Sequence, residues 1–346
     1  MLVSDFSFDL PDERIAQVPV QPRDSCRLML LDRQTGCARH HLFRELALLI
    51  RPGDCIVINE TRVLKARLFG TVIGESAKAV EIMLLRQLAS PLTWRALVRP
   101  GRRLTAGSVV AINDAEDVVA TIGRRMDDGQ VELSFAGLAP EEFASWLAAS
   151  GATPLPPYIK ARIALDDDYQ TIYATVDGSV AAPTAGLHFT PAVLNSLAAR
   201  QVAVARVVLH VGYGTFAPLR AQAVADNRMA AEHFLVSADA AETINRQRRS
   251  GGRIFAVGTS VTRTLETVSS AEGLVAPAQG WSDLFVYPGY QFRVVDGLIT
   301  NFHLPGSSTL LLASALAGWS NLASAYDTAI TMGYRFYSFG DAMMIV

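Results

Sequence analysis

Cysteine is scarce in this chain of 346 residues. Cys26, Cys37 and Cys55 are odd in number, and no two of them have the C-x-x-C spacing. This usage excludes a disulfide framework and a cysteine-based zinc site, and it predicts a reducing compartment, the cytoplasm.

Long apolar runs are absent as well. No apolar run reaches the ~18 residues that a membrane-spanning helix needs, and the most hydrophobic segment, 309–316, is predicted to be a core helix. The first residues include acidic side chains where a signal peptide would have a basic and then an apolar run. We therefore expect a cytoplasmic protein without a membrane partner.

Lysine is almost missing: Lys65, Lys78 and Lys160 are the lysines among 31 basic residues. The formal net charge of -2 argues against a protein that wraps nucleic acid over its whole surface, but it leaves room for a local basic patch. Two groups of arginines are candidates for such a patch: Arg99, Arg102 and Arg103, and Arg246, Arg248, Arg249 and Arg253. The second group lies at a predicted helix end, where arginines also complement the helix dipole, so a solvated helix end explains it equally well.

The common catalytic signatures are missing too. The chain contains no P-loop sequence and no G-x-S-x-G elbow. Its six histidines form no H-E-x-x-H or comparable pair. The sequence therefore predicts no metal site.

What the chain does contain is, first, a series of six short β-like segments. They lie at 66–73, 80–85, 94–99, 108–112, 118–122 and 131–135, with turn residues between several of them and no helix. This spacing is typical of a small β-barrel. A predicted helix at 140–150 and a proline-rich stretch at 153–160 follow, so we predict an inserted barrel domain at 61–153.

Around this insertion, predicted strands alternate with predicted helices. The strands are 28–31, 55–59, 202–211, 253–258, 284–287, 298–302 and 334–339, and the helices are 191–200, 238–250, 261–270, 307–318 and 321–332. Such alternation predicts βαβ units. The predicted fold class is α/β, with a mixed, largely parallel sheet domain and its helices (1–60 and 154–346) interrupted by the small antiparallel β-barrel.

One stretch, SVAAPTAGLHFT at 179–190, concentrates small residues, hydroxyls and a histidine. Small side chains let a ligand approach the backbone closely, and Thr190-Pro191 has the form of an N-cap followed by proline at the first helical position. A loop that presents His188 just before a helix N-terminus is typical of an anion or nucleotide site. On this stretch alone, a structural turn with a packed histidine is an equally good explanation.

Four loops at predicted strand ends contain glycine: 210–216, 258–260, 287–289 and 303–306. In open α/β sheets, ligands bind beyond the carboxyl ends of the strands, so these loops are predicted to share one crevice. Taken singly, His210 and His303 are better explained as hydrogen-bonded structural histidines. The coincidence of four such loops favours the functional interpretation.

Segments along nearly the whole chain carry a resemblance to a known family: 8–33, 52–70, 155–159, 169–190, 210–216, 282–307 and 334–345. Through them the chain resembles the S-adenosylmethionine:tRNA ribosyltransferase-isomerases of queuosine biosynthesis. AAPTAGLHF and NFHLP are the most specific motifs.

The chain also departs from the family pattern. The family's HxMHxE segment is NRMAAE here, at 227–232, so both histidines are absent and the final glutamate, Glu232, remains. The segment at 258–266 is GTSVTRTLE where the family favours GTTSVRTLE, and Glu60 and Lys65 replace the common Asp and Pro.

The resemblance implies an α/β domain with an inserted barrel and a defined reaction. The ribosyl part of S-adenosylmethionine is transferred to 7-aminomethyl-7-deazaguanine at the tRNA wobble position and isomerised, giving epoxyqueuosine-tRNA, adenine and methionine. S-adenosylmethionine is then a substrate, and no cofactor is implied. The implied partner is the anticodon loop of that tRNA, and we expect a monomer.

The resemblance also implies site residues. The predicted catalytic residues are His188, His210 and Glu232; His188 is the first candidate for proton transfer or adenine contact, because histidine titrates near neutrality. The predicted substrate contacts are Thr184, Ala185, Gly186, Leu187, Arg23, Asp283, Asn301, His303 and Arg335. Arg23 or Arg335 would bind a carboxylate or an RNA phosphate.

Two other functions stay open at this point. One is a tRNA- or nucleotide-binding relative that has lost catalysis together with the two histidines. The other is an α/β enzyme that acts on a different small nucleoside and binds no tRNA. Release of adenine from S-adenosylmethionine would separate them from the enzyme.

Overall fold

The computed structural model of the chain describes residues 1–74, 79–101, 104–113, 115–160, 166–212, 214 and 219–346. These residues divide into two compact units. The first, the sheet unit, comprises 1–62, 156–176 and 182–346, and the second, the barrel unit, comprises 63–155 and 177–181. The segment 177–181, which the sequence places in the α/β domain, thus belongs to the barrel unit.

Within this described part, the strands and helices have the following bounds. The strands are β1 (Arg27–Leu31), β2 (Ala38–Leu42), β3 (Cys55–Asn59), β4 (Thr61–Val63), β5 (Arg67–Val72), β6 (Ala79–Gln87), β7 (Thr93–Arg99), β8 (Val109–Ile112), β9 (Ala115–Arg125), β10 (Val131–Ala136), β11 (Val176–Ser179), β12 (Ala203–Leu209), β13 (Glu232–Val236), β14 (Ile254–Val257), β15 (Ala278–Ser282), β16 (Gly297–Asn301) and β17 (Ala342–Ile345). The helices are α1 (Leu46–Leu49), α2 (Phe143–Ser150), α3 (Pro191–Ala199), α4 (Ala238–Arg249), α5 (Gly258–Val268), α6 (Ser308–Ala317) and α7 (Trp319–Thr331).

The sheet unit is built on a mixed sheet with the strand order β15-β13-β12-β3-β14-β16-β17-β1-β2. The central strands β12, β3, β14 and β16 run parallel to one another. Antiparallel strands β13 and β15 extend one side, and on the other side β17 pairs antiparallel with β16 and parallel with β1. This confirms the predicted α/β class with a mixed sheet.

The central strands of the sheet unit are buried in its hydrophobic core. Every residue of β3, which has the sequence CIVIN, is buried, as expected of a parallel strand covered on both faces. Ile56 and Ile58 share a hydrophobic cluster with Val193 and Leu197 of α3. Because β12, β3, β14 and β16 are parallel, their carboxyl ends meet at one edge of the sheet.

The barrel unit is a closed antiparallel barrel with the order β10-β7-β6-β5-β8-β9. Burial alternates along its strands; in β7, Trp94, Ala96 and Val98 are buried between half-buried or exposed neighbours. Alternation of this kind places one side-chain set inside the barrel. Phe143 of α2 extends this core, with its ring centroid 5.6 Å from that of Trp94. The predicted inserted barrel of six strands is confirmed.

Two predicted strands are wrong. The segment 284–287 is not a strand, because the Leu284 carbonyl accepts a hydrogen bond from the Arg263 side chain instead of from a neighbouring strand. The segment 334–339 is not a strand either: Tyr337 has a φ of 73°, in the left-handed region, and Phe336 packs among buried aromatic rings. The strands nearest to these segments are β15 and β17. In both cases the apolar pattern reflects burial, not pairing in the sheet.

Candidate active site

A cavity lies in the sheet unit at the carboxyl ends of β14 and β16. It spans about 640 Å³ of space, part of which is open to solvent. Its walls include the turn Ala182–Pro183–Thr184–Ala185, the start of α5, and the end of β16 with the residues that follow it. Much of the remaining lining consists of charged, aromatic and hydroxyl side chains: Glu232, Arg263, Tyr158, Tyr337, Thr309 and Ser338.

Five of the predicted site residues line this cavity: Thr184, Ala185, Glu232, Asn301 and His303. Seven do not: His188, His210, Gly186, Leu187, Arg23, Asp283 and Arg335. Of the four glycine-bearing loops, those that follow β12, β14 and β16 contribute Val211, Gly258 and His303, whereas 287–289 contributes no lining residue. Tyr213, Thr215 and Phe216 of the first loop lie outside the described residues.

The turn Thr184–His188 is a short 3-10 helix that positions two of the lining residues. Gly186 is required for its packing, because a Cβ there would lie 2.1 Å from the hydroxyl oxygen of Tyr173. The predicted N-cap is confirmed: the Thr190 hydroxyl accepts a hydrogen bond from the Val193 amide at 3.3 Å. Gly186 and Leu187 therefore shape the turn, while Thr184 and Ala185 face the cavity.

His188 lies behind the cavity wall, where it is buried and each of its ring nitrogens faces one polar side chain. Its Nε2 lies 2.9 Å from the amide nitrogen Nδ2 of Asn301, and its Nδ1 lies 3.2 Å from Sγ of Cys26. Since the amide can only donate, Nε2 accepts and the ring proton is on Nδ1. Burial lowers the pKa of His188 to about 4, so the ring is neutral at physiological pH. Burial likewise raises the pKa of the Cys26 thiol, which stays protonated.

Asn301 connects His188 to the cavity. Its Oδ1 accepts a hydrogen bond from the Thr184 hydroxyl at 3.0 Å, while its Nδ2 donates to His188. These two bonds fix the orientation of the amide group. Each end of the amide keeps one further bonding position, which suits the paired donor and acceptor edge of a nucleobase.

A buried ion pair joins Glu232 to Arg263 in the cavity wall. The Arg263 Nη1 donates to Glu232 Oε2, and the side chains are only 4% and 7% exposed. The Gly212 amide donates to Glu232 Oε1 at 2.7 Å, and Arg263 also donates to the carbonyls of Leu284 and Ser282. Glu232 is the one carboxylate among the described lining residues. A charged carboxylate is tolerable at this depth because it is paired and hydrogen-bonded.

Sequence reasoning missed Arg263, Tyr158 and Ser338 as part of this wall. The signal for Arg263 lies in GTSVTRTLE, where the arginine keeps the place that it has in the family pattern. Tyr158 belongs to the LPPYI motif, and its hydroxyl lies 2.5 Å from Oγ of Ser338. Tyr158 and Ser338 lie in segments that carried the resemblance, but neither stood out by residue type alone.

The two other predicted histidines differ in position. His303 lines the cavity; its Nε2 lies 2.9 Å from the Thr300 hydroxyl, and burial lowers its pKa to about 3. His210 is half-buried and lies 2.8 Å from the Thr61 hydroxyl, with its ring stacked 5.7 Å from that of His233. The structure therefore brings His303, but not His210, to the cavity.

Three charged residues predicted to contact substrate lie outside the cavity lining. Arg23 donates to the carbonyls of Gln170 and Asp167, and Arg335 donates to those of Val18 and Phe339. Asp283 is exposed. The structure does not bring these three side chains into the cavity.

The arginine groups proposed for nucleic acid can be described in part. Arg99 is exposed on β7, whereas Arg102 and Arg103 lie outside the described residues. In the second group, Arg249 pairs with Glu242, Arg253 pairs with Asp54, and Arg248 donates to the Arg293 carbonyl. These contacts favour the interpretation of the second group as a helix end.

The two positions where the family has histidines can also be located. The Asn227 side chain is buried, accepts from the amides of Arg220 and Ala221, and donates to nearby carbonyls of its own loop. Ala230 is exposed. Neither residue lines the cavity.

The described residues contain no group of three or more His, Cys, Asp or Glu side chains placed to hold a metal ion. Among the same residues, no helix is long and apolar enough to cross a membrane.

Comparison with known proteins gives concordant matches. The pattern of the family described as queuosine biosynthesis protein matches residues 3–345. S-adenosylmethionine:tRNA ribosyltransferase-isomerases of Desulfitobacterium hafniense and Symbiobacterium thermophilum are each 47% identical to the chain, over 100% of both sequences. The crystal structure of an S-adenosylmethionine tRNA ribosyltransferase from Thermotoga maritima matches with a TM-score of 0.56 and 34% identity, covering 99% of this chain and 100% of that one.

Proposed function

This chain belongs to the family of queuosine biosynthesis proteins, and from that premise we propose that it acts as an S-adenosylmethionine:tRNA ribosyltransferase-isomerase. It transfers and isomerises the ribosyl part of S-adenosylmethionine onto 7-aminomethyl-7-deazaguanine at the tRNA wobble position. The products are epoxyqueuosine-tRNA, adenine and methionine. The observation that carries the proposal is the cavity at the strand ends, where residues of the AAPTAGLHF and NFHLP motifs meet the buried Glu232–Arg263 pair.

The reaction needs a base beside the sulfonium. The positive sulfur acidifies the C5′ hydrogens, so a base that removes one of them forms an ylide. The ribose ring then opens and adenine leaves; the amine of the acceptor base adds to the sugar and loses a proton; finally the C–S bond breaks, releasing methionine as the epoxide closes. S-adenosylmethionine is consumed as a substrate, and the proposed reaction uses no cofactor.

Glu232 is the proposed base. It is the one carboxylate among the described residues of the wall, and the Gly212 amide and Arg263 hold its oxygens in place. A carboxylate also attracts the sulfonium of the substrate. His303 is a weaker candidate, because burial lowers its pKa to about 3 and its Nε2 is already within hydrogen-bond distance of Thr300.

Thr184 and Asn301 are the proposed contacts to adenine. Both line the cavity, and Ala185 and Gly258 beside them leave space for a flat ring. We propose that His188 acts through Asn301 as a positioning residue, because it does not line the cavity and its Nε2 accepts a hydrogen bond from the Asn301 amide. We therefore assign the proton transfer to Glu232 and not to His188.

The proposed partner is the anticodon loop of the acceptor tRNA. Its wobble base is already single-stranded, so placing it in a protein cavity costs little unpairing energy. We also propose that the chain acts as a monomer. The cytoplasm is the proposed location, in keeping with the free thiols of Cys26, Cys37 and Cys55.

The alternative is a relative that has lost catalysis together with the family's two histidines at 227 and 230. Among the described residues, Asn227 holds its own loop together, Ala230 is exposed, and neither lines the cavity. The described lining keeps Glu232, the proposed base, so we favour the active enzyme.

The test is to incubate the purified chain with S-adenosylmethionine and tRNA that carries 7-aminomethyl-7-deazaguanine. We expect adenine and methionine in amounts equal to the modified tRNA, and no adenine with tRNA that has guanine at the wobble position. Binding of either substrate without adenine release would support the catalytically impaired relative. If the chain binds neither S-adenosylmethionine nor the tRNA, the proposed activity is contradicted.

A further inference from the structure

A second, smaller cavity adjoins the first. It spans about 270 Å³ of space, part of which is open to solvent, and it shares Thr259, Arg263 and Thr309 with the lining of the first cavity. The remaining lining residues are Met229, Leu284, Phe285, Val286, Ser308 and Leu312. We call this second cavity the annex and the three shared residues the waist.

The annex differs in chemistry from the first cavity. Apart from the waist and Ser308, its lining is entirely aliphatic, aromatic or thioether. The first cavity contains the amide of Asn301, the imidazole of His303 and several hydroxyls. The annex therefore suits a ligand group that carries hydrocarbon and sulfur rather than hydrogen-bonding atoms.

We propose that the annex binds the S-methyl group and the methylene chain of the methionine arm of S-adenosylmethionine, while the first cavity binds the adenosine part. This inference rests on the proposed function, because it assigns the second half of the same substrate. Phe285 offers an aromatic ring and Met229 a polarisable sulfur, and both attract a positively charged sulfonium.

The waist gives the proposal a geometric check. In the substrate, C5′ joins the ribose to the sulfonium, so it must lie where the two cavities meet. Arg263 is a waist residue, and its ion-pair partner Glu232 lines the first cavity. The ion pair thus links the proposed base, in the wall of the first cavity, to a residue of the junction where the C5′ hydrogens would be.

The charges around the annex do not oppose a cationic ligand group. Arg263 is the one charged side chain among the described residues of its lining. The carboxylate of Glu232 pairs with that guanidinium, so a sulfonium at the waist meets no net positive charge. Adenine and methionine, the two leaving products, would then depart from opposite sides of the waist.

The test is a series of binding measurements by calorimetry with adenosine, 5′-methylthioadenosine and S-adenosylmethionine. Adenosine fills only the first cavity, whereas the other two add the sulfur and then the full methionine arm. For the unmodified chain we expect affinity to rise at least about fivefold from adenosine to 5′-methylthioadenosine. Met229→Trp, which fills the annex, should weaken the two sulfur ligands at least about tenfold and change adenosine binding by less than about twofold.

Two further variants make the result interpretable. Phe285→Ala should reduce the gain from the sulfur without blocking the annex, which guards against a Met229→Trp chain that fails to fold. Met332→Trp is the matched control, because Met332 is 49% exposed at the end of α7 and lines neither cavity. It should bind all three ligands like the unmodified chain.

Two outcomes would overturn the proposal. If the unmodified chain gains nothing from the sulfur, or if Met229→Trp weakens all three ligands equally, the annex does not bind the methionine arm. In either case S-adenosylmethionine still binds, so the proposed function survives. If the unmodified chain binds none of the three ligands, the proposed function fails as well, and the two failures are thereby distinguished.

Discussion

The two units bury different kinds of side chain. In the barrel unit, the described core is apolar, and Ser179 is the one polar residue that is buried there. The sheet unit buries a set of ionisable and amide side chains: Asp24, Asp54, Asn59, His188, Asn227, Glu232, Arg263, Glu266, Asn301, His303 and Asp341. Burying such groups is unfavourable unless each finds a partner, so the contrast marks where polar interactions have been built into the core.

The contrast also shows that polar burial alone does not identify a site. Glu266 is 2% exposed and accepts hydrogen bonds from Tyr290 and from the amides of Arg293, Val294 and Val295, which fixes a loop. Glu232 is buried to a similar degree, but it lines a cavity. A buried carboxylate that lines a cavity can act on a ligand, as we propose for Glu232, whereas one that only accepts bonds from its own surroundings, as Glu266 does, is structural.

The largest expected effect comes from replacing Glu232 by glutamine, with the same replacement at Glu266 for comparison. Glu232→Gln should lower kcat by about 10²–10⁴-fold, the range typical of losing a general base, while affinity for S-adenosylmethionine changes little. Glu266→Gln is the matched control and should lower thermal stability while leaving kcat of the folded protein unchanged. Adenine release under saturating substrates measures both. Equal losses of kcat in the two variants would erase the distinction between them.

The second prediction concerns the barrel unit. Leu133 is fully buried in the barrel core, so Leu133→Ala should lower the free energy of unfolding by about 2–5 kcal/mol. Hydrogen exchange should locate this loss in the barrel unit. Because no described residue of that unit lines the cavity, affinity for adenosine should stay within about twofold of the unmodified chain. A large loss of adenosine affinity at unchanged folding would contradict this separation.

The third prediction is an acid sensitivity of the sheet unit. The pKa of His188 is lowered from 6.5 to about 4, so between these values the unfolded chain binds more protons than the folded one. Stability is therefore full above pH 6.5 and is lost as the pH falls toward 4, by about 2 kcal/mol from His188 between pH 7 and pH 5. His188→Gln should make this pH dependence shallower in urea denaturation but should not abolish it, because burial also lowers the pKa of His303, to about 3. An unchanged slope would show that His188 is not buried in its neutral form.

The smallest expected effect concerns the cavity's amide network. Thr184→Val removes the hydroxyl that donates to Asn301, leaving Oδ1 of the amide without that partner. We expect about tenfold weaker binding of adenosine and S-adenosylmethionine, equivalent to 1–2 kcal/mol. Thr264→Val, at a buried threonine of α5 that does not line the cavity, is the control and should leave both affinities unchanged.

The fold was predictable where pattern and turn chemistry agree. The barrel strands alternate inward and outward residues between clear turns, and CIVIN has the continuous apolar run of a central strand. The aromatic run at 334–339 has another physical cause. Phe336 is buried against Phe302 and Tyr326, and its backbone forms an isolated bridge with Ile15 instead of a strand of the large sheet. Periodicity reports burial, and burial does not fix backbone hydrogen bonding.

The lining of the cavity was predictable in part. Thr184, Asn301 and His303 could be nominated because they lie in unusual loops at strand ends, and parallel strands bring such loops together. The place of His188 behind Asn301, and the pairing of Glu232 with Arg263, depend on side-chain directions that residue spacing does not determine. The second cavity is formed by ordinary apolar residues, which carry no signal in a single sequence.

The most direct test of the central claim follows the C5′ hydrogens themselves. S-adenosylmethionine with deuterium at both C5′ positions is mixed with the acceptor tRNA and either the unmodified chain or Glu232→Gln. The rate at which deuterium leaves C5′ is then measured by mass spectrometry in the product and the recovered substrate together. If Glu232 is the base, the variant should bind S-adenosylmethionine within about threefold of the unmodified chain but lose deuterium at least about 100-fold more slowly. Loss of deuterium at the same rate in both proteins would contradict the claim.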